Sequence, residues 1–119
     1  MIQKALLFGD MDSIENIKNA KTPYQIKQYG RKVKNFTDDI WLLHRDKILY
    51  DGLYGKFSQN KDLSAKLKST GNRILVEASP YDKIYGVGLA ENDDRILEQK
   101  NWKGKNLLGY TLMNVRQNL

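Results

Sequence analysis

Apolar residues recur every three or four positions along most of the 119-residue chain, and strict alternation is scarce, so the pattern is mainly helical. Residues 2–8 form a short apolar piece that reads as the end of a longer helix. Asp12 or Ser13 is placed to cap a second helix reaching about Ala20, with Ile14 and Ile17 on one face. Thr22-Pro23 reads as a cap followed by proline at the first helical position, and Gly30 as the natural stop. Thr37-Asp38-Asp39 opens the longest helix, where acidic residues suit the positive helix start. Ile40, Leu43 and the pair Trp41, Ile48 repeat at helical spacing, and Gly52 and Gly55 are expected to interrupt the helix ahead of Lys56-Phe57. Asp62 is read as the cap of a helix carrying Leu63 and Leu67, with Gly71 ending it. Ile74-Leu75-Val76 is the best strand candidate, and residues 77–88 read as irregular. A last helix begins near Asn106, with Leu108, Leu112, Val115 and Leu119 on one stripe that reads as core packing.

Composition narrows the function classes. The chain has no cysteine, which excludes disulfides, thiolate metal sites and a cysteine nucleophile. A single histidine, His44, argues against a histidine-rich metal centre, so neither a metal nor another cofactor is expected. No apolar run approaches the roughly 18 residues that span a bilayer, and no secretory signal is visible, so the expectation is a cytoplasmic protein without a membrane partner. The net charge of +6 permits binding of phosphates, nucleotides or nucleic acid without requiring it, because lysines spread over helix faces are commonly just solvated.

The unusual chemistry concentrates in EASPYDKIYGVG, residues 77–88. Two carboxylates, Glu77 and Asp82, bracket a proline and an aromatic, and a Gly-x-Gly follows. Proline stiffens the backbone and glycine lets it approach a ligand closely. The residues support a structural reading equally well: Asp82 as the cap of a turn and Glu77 as the partner of an arginine. In NWKGKNLLG, residues 101–109, Asn106 stands where a helix start would present amides to an anion, though a plain cap reads as well. In YGRKVKNF, residues 29–36, Arg31 is one of only five arginines and suits a bidentate clamp on phosphate or carboxylate. No phosphate loop and no nucleophile elbow are present, and His44 reads as a surface or core-edge residue. On these grounds alone the chain is a small basic helical domain.

The segments together resemble the YbiA-like family, also called NADAR for its association with NAD and ADP-ribose. The matching pieces run in family order: QKALLFGD at 3–10, GRKVKNF at 30–36, Trp41 with Arg45, KFSQN at 56–60, Thr70-Gly71, LVEASPYDKIYGVG at 75–88 and WKGKNLLGYTLMNVRQNL at 102–119. The resemblance implies a compact single domain over 1–119, mainly α with a small β element, and a polar cleft for phosphorylated ribosides. It implies N-glycosidase activity, in some members on ribosylamino-pyrimidine phosphates of riboflavin biosynthesis and in others on ADP-ribosylated guanine in nucleic acid. Carried over, Asp82 and Glu77 are the catalytic carboxylates. Trp41 and Tyr85 are the stacking faces, Tyr85 standing where most members have tryptophan. Lys4, Arg31, Lys56, Asn60 and Asn106 are the further polar positions that line or brace the cleft.

One departure matters. Typical members carry a strand-rich stretch ahead of the Lys4-Ala5 helix, with a catalytic glutamate a few positions before the place where this chain has Met1. Three readings follow: catalysis by the remaining carboxylates, completion of the cleft by another subunit, or capture of an ADP-ribose-like nucleotide without turnover. The expected partner is a small nucleotide, with modified nucleic acid as a second substrate form. Self-association is the expected cover for the apolar positions Leu6 and Leu7.

Overall fold

A computed structural model describes all residues 1–119. Six α-helices are formed: α1 (Ile2–Leu7), α2 (Met11–Lys18), α3 (Pro23–Arg31), α4 (Asp38–Ser58), α5 (Lys61–Ser69) and α6 (Leu107–Gln117). Two short 3₁₀ turns, Asp94–Leu97 and Gln99–Asn101, precede α6, and no helix is long and apolar enough to cross a membrane. The chain divides into two compact units, Met1–Ile48 and Leu49–Leu119, with α4 contributing to both.

In the first unit, Ala5, Phe8, Ile14, Ile17 and Val33 form the buried core, with Ile26, Tyr29 and Trp41 among the side chains packed against it. The cap of α2 is Asp10, not Asp12 or Ser13. Gly9, at φ +67°, turns the chain so that the Asp10 carboxylate accepts from Ser13 N (3.1 Å), Ser13 Oγ (2.6 Å) and Lys34 N (2.8 Å). Thr22 caps α3 as the sequence suggests, its hydroxyl accepting from Gln25 N at 3.1 Å. Gly30 does not stop that helix, which runs on to Arg31. Its missing side chain serves another purpose: a Cβ there would overlap the Met1 thioether.

The glycines of α4 do not break it. Gly52 and Gly55 sit inside a continuous 21-residue helix. Glycine costs about 1 kcal/mol in a helix interior but keeps its backbone N–H, so the ladder persists. Ile40 and Leu43 are exposed, Leu43 by 81%. In the first half of α4 the half-buried positions include Trp41, Arg45 and Ile48, an i, i+4, i+7 stripe, and Leu49, Tyr50, Leu53, Gly55 and Phe57 are half-buried further along.

In the second unit α5 is capped by Asn60, whose Oδ1 accepts from Leu63 N at 3.2 Å, rather than by Asp62. Gly71, at φ +62°, ends the turn after α5. Leu67, Val87, Leu89 and Val115 are buried. Of the predicted α6 stripe, Val115 is fully buried while Leu108, Leu112 and Leu119 are half-buried.

The expected β element is not formed; Ile74-Leu75-Val76 pairs with no strand. A side chain takes that place: the Asn106 amide donates to Leu75 O and accepts from Glu77 N, both at 2.9 Å. These are the alternate donor and acceptor that a neighbouring strand would engage. Pairing by one residue engages one acceptor and one donor of the segment without building a ladder.

Candidate active site

The second unit brings together the residues of the 77–88 loop. Glu77 N is held by Asn106, and Glu77 O accepts from Ser79 N and Val87 N, each at 3.0 Å. Asp82 Oδ1 accepts from Ile84 N at 3.0 Å and Tyr85 N at 2.9 Å. The turn-capping reading of Asp82 is therefore realised, and it occupies one carboxylate oxygen. Gly86 lies where the two ends of the turn meet: a Cβ on it would stand 2.8 Å from Asp82 O and 3.0 Å from Glu77 O. Glu77, Asp82 and Tyr85 are all half-buried.

The start of α6 does not present its amides to an anion. Asn106 N, Leu107 N and Leu108 N donate to the carbonyls of Gly86 (3.0 Å), Ile84 (3.1 Å) and Tyr85 (3.1 Å). Lys103 N and Lys105 N donate to Val87 O and Lys83 O at 2.8 and 2.9 Å. The loop itself thus satisfies the donors of Asn106, Leu107 and Leu108 at the helix start. Asn106 stands at the cap position in a left-handed conformation, φ 51° and ψ 40°, with no side-chain bond to its own helix. It is fully buried, with its amide engaged on Leu75 and Glu77.

Glu77 also borders a cavity of about 260 Å³, walled mainly by Phe57, Leu67, Leu75, Leu108 and Leu112, with Lys66 at its margin. Asp82 and Tyr85 are not among its walls. Lys56 is exposed near the end of α4, its ammonium 5.8 Å from the Phe57 ring centre. Asn60 is exposed and works as the α5 cap.

The first unit gathers a second set. Lys4 donates to Gly30 O at 2.8 Å, and its ammonium stands 4.7 Å from the Phe36 ring centre and 5.5 Å from that of Trp41. Burial pushes the Lys4 amine below its ordinary pKa. Phe36 links the rings, 5.1 Å from Phe8 and 6.2 Å from Trp41, both pairs tilted. Arg31 is exposed in the last turn of α3, next to the Gly30 carbonyl that Lys4 occupies. Phe36 closes the YGRKVKNF motif and is not among the candidate residues that the motif suggests. The available signal was an aromatic closing a basic run just before the longest helix. His44 is exposed on α4, as its surroundings suggested.

The chain matches the NADAR domain across residues 1–119. It belongs to the NADAR family. This NADAR chain is 46% identical over 117 residues to an N-glycosidase of Acanthamoeba polyphaga mimivirus, covering 98% of this chain and 69% of that protein. It is 41% identical over 121 residues to Protein irg-1 of Caenorhabditis elegans, covering 100% of this chain and 57% of that protein. An N-glycosidase of Nostoc punctiforme is 32% identical over 117 residues, 98% of this chain and 68% of its own length. The NADAR chain thus spans a little over half to about two-thirds of these relatives.

Proposed function

We propose that residues 1–119 form a single NADAR-type N-glycosidase domain that hydrolyses the N-glycosidic bond of a phosphorylated riboside or an ADP-ribosyl conjugate. The reading is carried by the 77–88 loop, in which backbone N–H groups of Ile84 and Tyr85 hold the Asp82 carboxylate and the Asn106 side chain holds the backbone N–H of Glu77. It is supported by relatives named N-glycosidases at 46% and 32% identity.

The reaction breaks the bond from the anomeric carbon to the base nitrogen. Water supplies a hydroxyl to that carbon and a proton to the departing base. Positive charge grows on the ribose as the bond lengthens, and a fixed carboxylate stabilises it. Asp82 is assigned this role. Its Oδ1 is committed to Ile84 and Tyr85, so Oδ2 is the oxygen that faces the sugar or orients water. Glu77 is assigned as the second carboxylate, taking or returning the proton. Tyr85 is assigned to the aromatic contact with base or ribose in the second unit, and Trp41 is the aromatic candidate of the first unit. Lys56 in the second unit, and Lys4 and Arg31 in the first, are each assigned as phosphate-binding cations of their own unit, and Asn60 caps α5.

Incubation with a ribosylamino-pyrimidine phosphate and with an oligonucleotide carrying ADP-ribosylated guanine tests the assignment. Free base or free ADP-ribose, separated by chromatography, is the expected product. Intact ligand recovered stoichiometrically from denatured protein would mark a binder instead.

A further inference from the structure

We infer that Asn106 is a positioning residue, which sets the geometry of the Glu77–Tyr85 turn from beneath rather than touching the substrate. The inference rests on the proposed N-glycosidase reading and adds a control point to it. Asn106 holds both ends of the turn. Its side chain grips the entry through Glu77 N and Leu75 O, and its backbone N–H grips the exit through Gly86 O at 3.0 Å. The residue is 0% exposed, so its amide contacts are all within the protein. It adopts φ 51°, which asparagine tolerates better than other residues bearing a side chain. Gly109 leaves the room: a Cβ there would overlap both Leu75 O and the Asn106 amide.

The grip needs a donor and an acceptor on the same planar group. Aspartate keeps the acceptor but turns a carboxylate oxygen toward Leu75 O. Protonation of that oxygen would restore the donor. Burial against a carbonyl raises the pKa of such a group, so Asn106→Asp carries a pH switch that the parent lacks. Alanine removes both halves of the grip at every pH.

The test compares Asn106→Ala and Asn106→Asp with the parent, using the two substrates above, across a pH series. Asn106→Ala is expected to lose about 100-fold in kcat, the scale of a 1 Å misplacement of reacting groups, with KM within about 3-fold. Asn106→Asp is expected to recover kcat as the pH falls, relative to the parent at the same pH. KM rising in step with any loss of kcat, or an Asn106→Asp profile parallel to that of the parent, would overturn the inference. Amide hydrogen exchange on the parent gives an answer free of turnover and of variant folding. Glu77 N–H is expected to exchange as slowly as Val87 N–H, which closes the same turn. Exchange of Glu77 N–H at the rate of an exposed amide would overturn the inference. A protected Glu77 amide in a protein that releases no base from either substrate would overturn the N-glycosidase reading and leave the grip standing.

Discussion

The Lys4 ammonium lies 5.5 Å from the centre of the Trp41 indole, across 37 positions of sequence, while donating to Gly30 O. Two residues selected from separate motifs therefore share one electrostatic environment. A cation over aromatic rings contributes about 0.5–2 kcal/mol depending on desolvation. Lys4→Met keeps the stem and removes the charge. It is expected to weaken binding of ADP-ribose at least about 5-fold, roughly 1 kcal/mol, when followed by calorimetric titration. Unchanged affinity would remove Lys4 from the phosphate role.

Asp82 has two separable tasks. Asp82→Asn retains an acceptor for Ile84 N and Tyr85 N but removes the charge. Turnover is expected to fall by about 100-fold or more with Tm nearly unchanged. Asp82→Ala also loses the turn, and is expected to cost about 1 kcal/mol of stability by chemical denaturation. Equal stability of the two variants would deny the turn role; equal turnover of Asp82→Asn and the parent would deny the catalytic one.

The helical scaffold was legible because it depends on local rules. Thr22-Pro23 announces a helix start from its own chemistry, and Ile14 with Ile17 announces a buried face. Choosing among neighbouring caps was not local. Asp10 prevails over Asp12 and Ser13 because its carboxylate also reaches Lys34 N, a residue 24 positions away. The Ile74–Val76 segment looked like a strand because its residues favour extension. What pairs with it is a side chain 31 positions on from Leu75, which no periodicity reveals. The same holds at the site. The richness of the 77–88 loop was visible, but the capture of the α6 amides by its carbonyls depends on tertiary contact.

Glycines divide by their surroundings. Gly52 has open space where a Cβ would stand, in the interior of α4. Gly52→Ala is expected to stabilise the protein by about 0.5–1 kcal/mol. Gly109→Ala would drive a methyl into Leu75 O and the Asn106 amide, and is expected to lower Tm by more than about 5 °C. Thermal denaturation of the two variants beside the parent checks both signs.

Acid sensitivity follows from Asp10. Hydrogen bonds from Lys34 N, from the Ser13 hydroxyl and from Ser13 N hold its carboxyl at a pKa of about 2, against 3.8 for the free group. As the pH falls below about 3.8 the unfolded chain takes up the proton first, and the folded chain resists until about 2. Stabilisation by Asp10 is thus fully present above that window and lost through it. Denaturant midpoints between pH 5 and pH 2 should fall less steeply for Asp10→Asn than for the parent. Parallel curves would contradict the assignment.

The central claim is hydrolysis of a base–ribose bond with Asp82 as the stabilising carboxylate. The most direct measurement is single-turnover base release from a ribosylamino-pyrimidine phosphate and from ADP-ribosylated guanine, parent against Asp82→Asn, with calorimetric titration of the same substrates. The account predicts that the parent frees the base or ADP-ribose and that Asp82→Asn binds as tightly but releases it about 100-fold more slowly. Both substrates recovered intact from the parent, or equal release rates in the two proteins, would contradict it.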